Sequence, residues 1–129
     1  MAFMIKQDDF YTTPQVEYVE ATAAESYEVG ELLKLATGKA TKASGTDVPV
    51  YVCNCKMTAA AGDQLQVIRL HKNHKLETTL QASGSLLKAG DKVTIHTDGL
   101  QVTATTSSGV LEVVQVIDPA AGGKIIVRI

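Results

Sequence analysis

The chain has 129 residues, a formal net charge of −2, and a composition in which 45% of residues are hydrophobic but only 5% are aromatic. This length is enough for one domain with a core that needs no disulfide or metal, and the charge gives no electrostatic footprint for nucleic acid. No stretch approaches the roughly 18 apolar residues of a membrane span, and the first residues lack the features of a signal peptide. We therefore expect a protein made in the cytosol, with no nucleic-acid or membrane partner.

Residues 1–29 show no pattern of turns and are predicted to form an extended N-terminal arm. Both Phe residues and three of the four Tyr residues lie in this arm, and aromatic side chains dominate interface energetics. Val16–Glu20 is suited to adding a strand to a sheet edge, either on a partner or on the chain's own β-domain. We expect the contacts with another surface or subunit to come from Phe3, Ile5, Phe10, Tyr11, Tyr18 and Tyr27.

The arm also differs in charge from the rest of the chain. It carries one base, Lys6, against six acids, a net charge of −5, whereas residues 30–129 carry eleven bases against eight acids, a net charge of +3. This asymmetry predicts that the arm lies on another surface or contacts a neighbouring subunit; a solvated tail is the alternative.

Residues 30–129 show the pattern of a single β-domain. Residues 92–103 alternate apolar and polar side chains around Asp98 and Gly99, which predicts a hairpin. Apolar runs at 110–117 and 125–129 flank a turn at 118–123 and predict a second hairpin. Residues 30–70 repeat this order of parts at an offset of about 60 residues, and residues 71–89 join the two copies.

Such a repeat indicates that one copy cannot bury its own apolar face and that the two copies pack together. We therefore predict an all-β fold: a small barrel or sandwich built from two similar four-strand halves, about 30–70 and 90–129, with the extended arm outside it. A pseudo-two-fold axis would relate the halves, and closure would remove exposed strand edges.

One constellation in the sequence has the residue types of a metal site. Cys53, Cys55, His71 and His74 form a C-x-C…H-x-x-H set of potential zinc ligands. A C-x-C carried on a strand matches a zinc ribbon poorly, and two thiols packed as small hydrophobic groups are the alternative. We expect no metal and no cofactor. The sequence has no Gly-rich phosphate loop, nucleophile elbow or H-E-x-x-H motif, so we do not expect an enzyme.

The spacing of turns and strands resembles a family of small tailed-phage capsid cement, or head decoration, proteins. The similar segments are residues 90–93, 98–105, 113–116, 120–123 and 126–129 in the second half, and 30–33 and 59–63 in the first. The long aromatic arm and the insert at 71–79 depart from the family pattern.

The resemblance implies a non-enzymatic structural protein that binds the outer surface of a phage capsid and stabilises the expanded shell. Its partners would be the major capsid protein and copies of itself, as a homotrimer, and its location the exterior of the virion after synthesis in the host bacterial cytoplasm. Two alternatives stay open. One is another virion structural module, such as a head fibre base or a tail-associated domain; the other is a small metal- or carbohydrate-binding β-domain.

Overall fold

The computed structural model describes residues 2–8 and 15–129. All regular secondary structure in this part of the chain is β-strand. The strands are β1 (Met4–Asp8), β2 (Val16–Glu20), β3 (Ser26–Tyr27), β4 (Leu32–Ala36), β5 (Lys39–Lys42), β6 (Tyr51–Cys53), β7 (Met57–Thr58), β8 (Gln64–Arg69), β9 (His74–Thr79), β10 (Lys92–Val93), β11 (Leu111–Val116) and β12 (Lys124–Arg128).

The strands form two five-stranded antiparallel sheets that pack together, so the predicted all-β barrel or sandwich is confirmed. Sheet I has the order β2-β8-β6-β4-β5, and sheet II has the order β1-β9-β12-β11-β10. A small additional ribbon pairs β3 with β7. The first repeat lies in sheet I and the second in sheet II.

The strand registers of the two sheets repeat at an offset of about 60 residues. In sheet I, Val52 pairs with Leu32 on one side and with Ile68 on the other. In sheet II, Glu112 pairs in the same way with Lys92 and Arg128. Hydrogen bonds outside the strands repeat as well. Gly30 N donates to the Cys53 carbonyl oxygen, and Gly90 N donates to the Val113 carbonyl oxygen, both at 2.8 Å.

The repeat includes one more strand in each sheet than the sequence indicates. Strand β2 lies beside β8 just as β9 lies beside β12. In sheet I, a parallel bridge from Ala21 to Ala40 joins the end of β2 to β5. In the second half, a parallel bridge from Leu80 to Val102 joins the end of β9 to a residue that also bridges Ile95, just after β10. Each half is thus a small barrel closed on itself. We call residues 16–70 the N-terminal unit and residues 71–129 the C-terminal unit.

The interior of each unit is filled by equivalent side chains. In sheet I these side chains all lie on one face of the sheet, because successive residues of a strand point to opposite faces. In the N-terminal unit they are Leu33, Tyr51, Cys53, Leu65 and Val67, and in the C-terminal unit Val93, Leu111, Val113, Ile125 and Val127. All ten are at most 5% exposed. The duplicated backbone therefore has a duplicated core.

Part of the opposite, outer face of sheet I is also buried, and here the units differ. Leu32 and Val52 are 0% and 5% exposed and belong to a cluster with core residues of the C-terminal unit. Their equivalents Lys92 and Glu112 are exposed and half-buried. A two-fold axis would bury the same face of both units. The units instead pack head to tail, which corrects the pseudo-two-fold arrangement expected from the repeat.

Strand β1 and the residue before it contact both units. The strand pairs with β9 of the C-terminal unit, and Phe3 N donates to the Gly30 carbonyl oxygen of the N-terminal unit at 2.9 Å. The Phe3 side chain is buried in the same cluster as Leu32 and Val52. Gly30 permits this approach because a Cβ atom there would lie 2.5 Å from Ala2 Cβ and 3.0 Å from the Phe3 carbonyl oxygen.

Gly30 and Gly90 provide a matched pair of substitutions. Both have a positive φ, +85° and +94°, but a Cβ at Gly90 would meet nothing within 4 Å. We expect Gly90→Ala to lose about 1 kcal/mol of unfolding free energy through backbone strain alone. Gly30→Ala should lose about 1 to 2 kcal/mol more because it displaces β1. Urea unfolding measures both values, and equal losses would contradict the close approach of β1.

Candidate functional site

The aromatic residues predicted as contacts do not share one environment. Phe3 and Tyr27 are 2% and 1% exposed, so they belong to the protein's own core and are removed from the candidate contact surface. Ile5 is half-buried and packs against the hydrophobic cluster that contains Leu32 and Val52. Tyr18 is 67% exposed. Phe10 and Tyr11 lie outside the described residues, and their predicted contacts stay predictions.

Tyr27 has a structural role in the closure of the N-terminal unit. Its hydroxyl accepts a hydrogen bond from Thr22 N at 2.9 Å and lies 2.6 Å from Glu25 Oε2 and 2.7 Å from the Ala40 carbonyl oxygen. Burial, followed by the neighbouring Glu25 carboxylate, raises the pKa of Tyr27 to about 12. The hydroxyl therefore stays protonated and binds together the segments that meet at the Ala21–Ala40 bridge.

The outer edge of β2 is the most prominent apolar feature of the arm. Val16 and Tyr18 are 41% and 67% exposed, and they point to the same side of the strand. On the equivalent strand β9, the corresponding edge pairs with β1. Within residues 2–8 and 15–129, no strand pairs with the β2 edge ahead of the Ala21 bridge. This edge thus carries backbone groups that no described strand pairs with, on a strand with two exposed apolar side chains.

Three of the six acidic residues of the arm pair with bases of the same chain. Glu17 lies 3.2 Å from Arg69, Glu20 lies 3.3 Å from Lys39, and Glu28 lies 3.7 Å from Lys56. The partner bases all belong to residues 30–129. Residues 16–28 of the arm therefore lie on the protein's own surface, and three of the arm's acids are paired within the chain. Exposed pairs of this kind add little stability individually.

The Cys and His residues do not converge on a metal position. Both cysteines are free; Cys53 Sγ is buried in the N-terminal unit and donates to the Cys55 carbonyl oxygen at 3.1 Å. Burial raises the pKa of the Cys53 thiol to about 12, so it packs as a neutral group. The His71 and His74 rings contact each other edge to face, 5.1 Å apart. The described residues contain no group of three or more side chains suited to hold a metal ion.

Glu31 is the most deeply buried acid among the described residues, and the sequence did not single it out as buried. It is 2% exposed, and its Oε1 atom has no hydrogen-bond partner within the described ranges. Its equivalent Asp91 instead accepts a hydrogen bond from Lys88 N at 2.9 Å. A Cβ atom at Gly99 would lie 3.1 Å from Glu31 Cγ, so the Glu31 side chain reaches the junction between the units.

The environment of Glu31 favours its neutral form. Burial raises the pKa of its carboxyl to about 7, against the opposing attraction of the Lys42 ammonium group. The nearby carboxylates of Glu25 and Glu28 contribute to this raised pKa. The opening pairs Gly30-Glu31 and Gly90-Asp91 look alike in sequence. Only head-to-tail packing buries the first acid, which is why sequence analysis missed it.

Two cavities lie on the outer faces of the sheets at related positions. One, of about 330 Å³, is lined by residues that include Phe3, Ile5, Val52 and Ile68. The other, of about 410 Å³, lies in the C-terminal unit and is lined by Lys72, Lys92, Val110, Glu112, Arg128 and Ile129. Val52 and Ile68 are the register equivalents of Glu112 and Arg128. Related faces are therefore apolar in one unit and charged in the other.

Comparisons with known proteins do not assign the chain to a family. Its sequence matches no protein-family model, and no curated protein was found to be related to it. The described part of the chain has no helix, and hence none long and apolar enough to span a membrane.

We expect Glu31→Gln to stabilise the protein above pH 7 and to change little at pH 4.5. The unfolded chain releases this proton near pH 4.5, whereas the folded protein keeps it until about pH 7. The stability of the wild type therefore falls as pH rises through that window. The variant should avoid this fall and gain about 2 to 3 kcal/mol at pH 8.

Urea unfolding of both proteins at pH 4.5, 6 and 8 measures the effect. A gain that is the same at all three pH values would show that the benefit of Gln does not come from the titration of Glu31.

Proposed function

We propose that this protein is a non-enzymatic structural protein that binds the outer surface of a phage capsid and stabilises the expanded shell. The observation that carries the proposal is the outer edge of β2, where Val16 and Tyr18 are exposed and no described strand pairs with the backbone. The resemblance of the turn and strand spacing to capsid cement proteins supports the same function.

A strand edge of this kind suits attachment to a large protein surface. An extended segment of the partner would add to sheet I through main-chain hydrogen bonds, and Tyr18 would supply an aromatic anchor. Val16 would pack beside it. Each contact is small, but a shell presents many identical sites, so a homotrimer that engages several at once would bind far more tightly than one copy.

The described residues favour adhesion over ligand binding. Tyr51, the single aromatic residue between 30 and 129, is 5% exposed, and the Arg69 guanidinium lies 5.0 Å from the centre of its ring. Tyr51 therefore offers no open platform for a sugar. The separation of the Cys and His pairs argues against the metal-binding alternative. Another virion module, a head fibre base or a tail-associated domain, is the remaining alternative, and copy number distinguishes it.

Cosedimentation with undecorated shells tests the proposal. We expect the wild-type protein to saturate shells at hundreds of copies, whereas a fibre base would saturate at tens or fewer. Tyr18→Lys should weaken binding by about 10- to 100-fold, because it replaces an aromatic anchor with a charge at the edge. Quantitative gels of the pellet measure both quantities.

Leu86→Lys is the matched control because Leu86 is 89% exposed in the loop between β9 and β10 and is not part of β2. It should bind as the wild type does, and thermal unfolding should show both variants folded. Absence of wild-type binding would overturn the proposed function. Equal binding by Tyr18→Lys would exclude the β2 edge as the contact while leaving shell binding intact.

A further inference from the structure

The cavity of about 410 Å³ on the outer face of sheet II is positively charged, and we call it the cationic groove. Three basic side chains and one acidic side chain line it together with two aliphatic ones: Lys72, Lys92, Arg128, Glu112, Val110 and Ile129. It lies on the C-terminal unit, whereas the proposed β2 contact edge belongs to the N-terminal unit. The groove is therefore a second surface with different chemistry.

The charges in the groove are only partly balanced. Arg128 Nε donates to Glu112 Oε1 at 2.8 Å, which uses one side of the guanidinium group. A guanidinium group has further N–H donors that can hold a second carboxylate. Lys72 and Lys92 are exposed, and neither forms an ion pair with a described residue. The side chains of the groove thus keep an excess of positive charge.

The equivalent face of the N-terminal unit shows what this position accommodates. There the apolar residues Val52 and Ile68 face Phe3 and Ile5 of the chain's own N-terminal segment across the first cavity. That segment is extended and is held by the hydrogen bond from Phe3 N to the Gly30 carbonyl oxygen. In the C-terminal unit the register equivalents are Glu112 and Arg128, and no described segment covers them. At this place in the duplicated fold, the chain's own N-terminal segment lines the cavity in one unit, and no described segment does so in the other.

We propose that the cationic groove binds an extended, carboxylate-bearing segment of a partner protein. Its carboxylates would lie against Lys72, Lys92 and the free side of Arg128, where Coulomb attraction favours them. Aliphatic groups of the segment would pack on Val110 and Ile129. The occupant is extended because the chain segment beside the equivalent face is extended. It is acidic because three bases, Lys72, Lys92 and Arg128, outnumber the single acid Glu112 among the charged side chains of the groove.

Titration of the full-length ¹⁵N-labelled protein with tetraglutamate tests this proposal directly. We expect saturable chemical-shift changes confined to residues in and beside the groove, and binding that weakens as salt is added. Tetralysine at the same concentrations should produce no changes there. Inorganic phosphate serves as a second probe, which separates recognition of a peptide from general attraction of anions.

A pair of double variants supplies the control for net charge. Lys72→Gln with Lys92→Gln should weaken tetraglutamate binding by about tenfold, because two attractive charges are lost. Lys39→Gln with Lys56→Gln removes the same charge from the N-terminal unit and should leave the affinity unchanged. Thermal unfolding of both double variants checks that they are folded.

Three results would overturn the proposal: no shift changes in the groove with tetraglutamate, equal weakening by the two double variants, or phosphate binding as tight as that of tetraglutamate at the same residues. None of them depends on shells. A failure of the proposed capsid function and a failure of the cationic groove are therefore observed separately.

Discussion

The arrangement of the whole molecule depends on the burial of the second apolar face of sheet I. Interior residues such as Leu33 fill the N-terminal unit, while Leu32 and Val52 on the opposite face are as fully buried. A sheet that is apolar on both faces must be covered on both, because exposed aliphatic area costs roughly 25 cal/mol per Å². The C-terminal unit and Phe3 cover the part of that outer face that holds Leu32 and Val52. Val16 and Tyr18 on the same face stay exposed.

This requirement explains why equivalent positions in the two units have different properties. Gly30 lies under β1, whereas Gly90 has open space around it. Glu31 is enclosed at the junction with the Gly99 turn, whereas Asp91 caps a turn at the surface. Among residues 2–8 and 15–129, no segment lies over the outer face of the C-terminal unit at Lys92, Glu112 and Arg128, and that face is charged. Head-to-tail packing of a duplicated chain thus gives equivalent faces of the two units different surroundings.

Much of the fold was predictable because its turns are encoded locally. The Asp98-Gly99 signal corresponds to a turn in which Asp98 Oδ1 accepts from Leu100 N at 2.9 Å, and His96 N pairs with the Gln101 carbonyl oxygen. The second hairpin is β11 and β12. The candidate contact residues were harder to predict. Aromatic content alone could not distinguish Tyr18, which is exposed, from Tyr27, which is buried. The Tyr27 hydroxyl binds Glu25 and the Ala40 carbonyl oxygen, and Ala40 is brought to it only by the fold.

The sequence by itself determined the all-β class, the positions of the main turns and the offset of the repeat, because alternation and Gly or Asp turns act over a few residues. Only the tertiary structure decided which faces meet. Val16–Glu20 could pair with any compatible edge, and its ion pairs with Arg69 and Lys39 exist because β8 and β5 close around it. Contacts between residues far apart in the chain depend on packing of whole units, which no local pattern specifies.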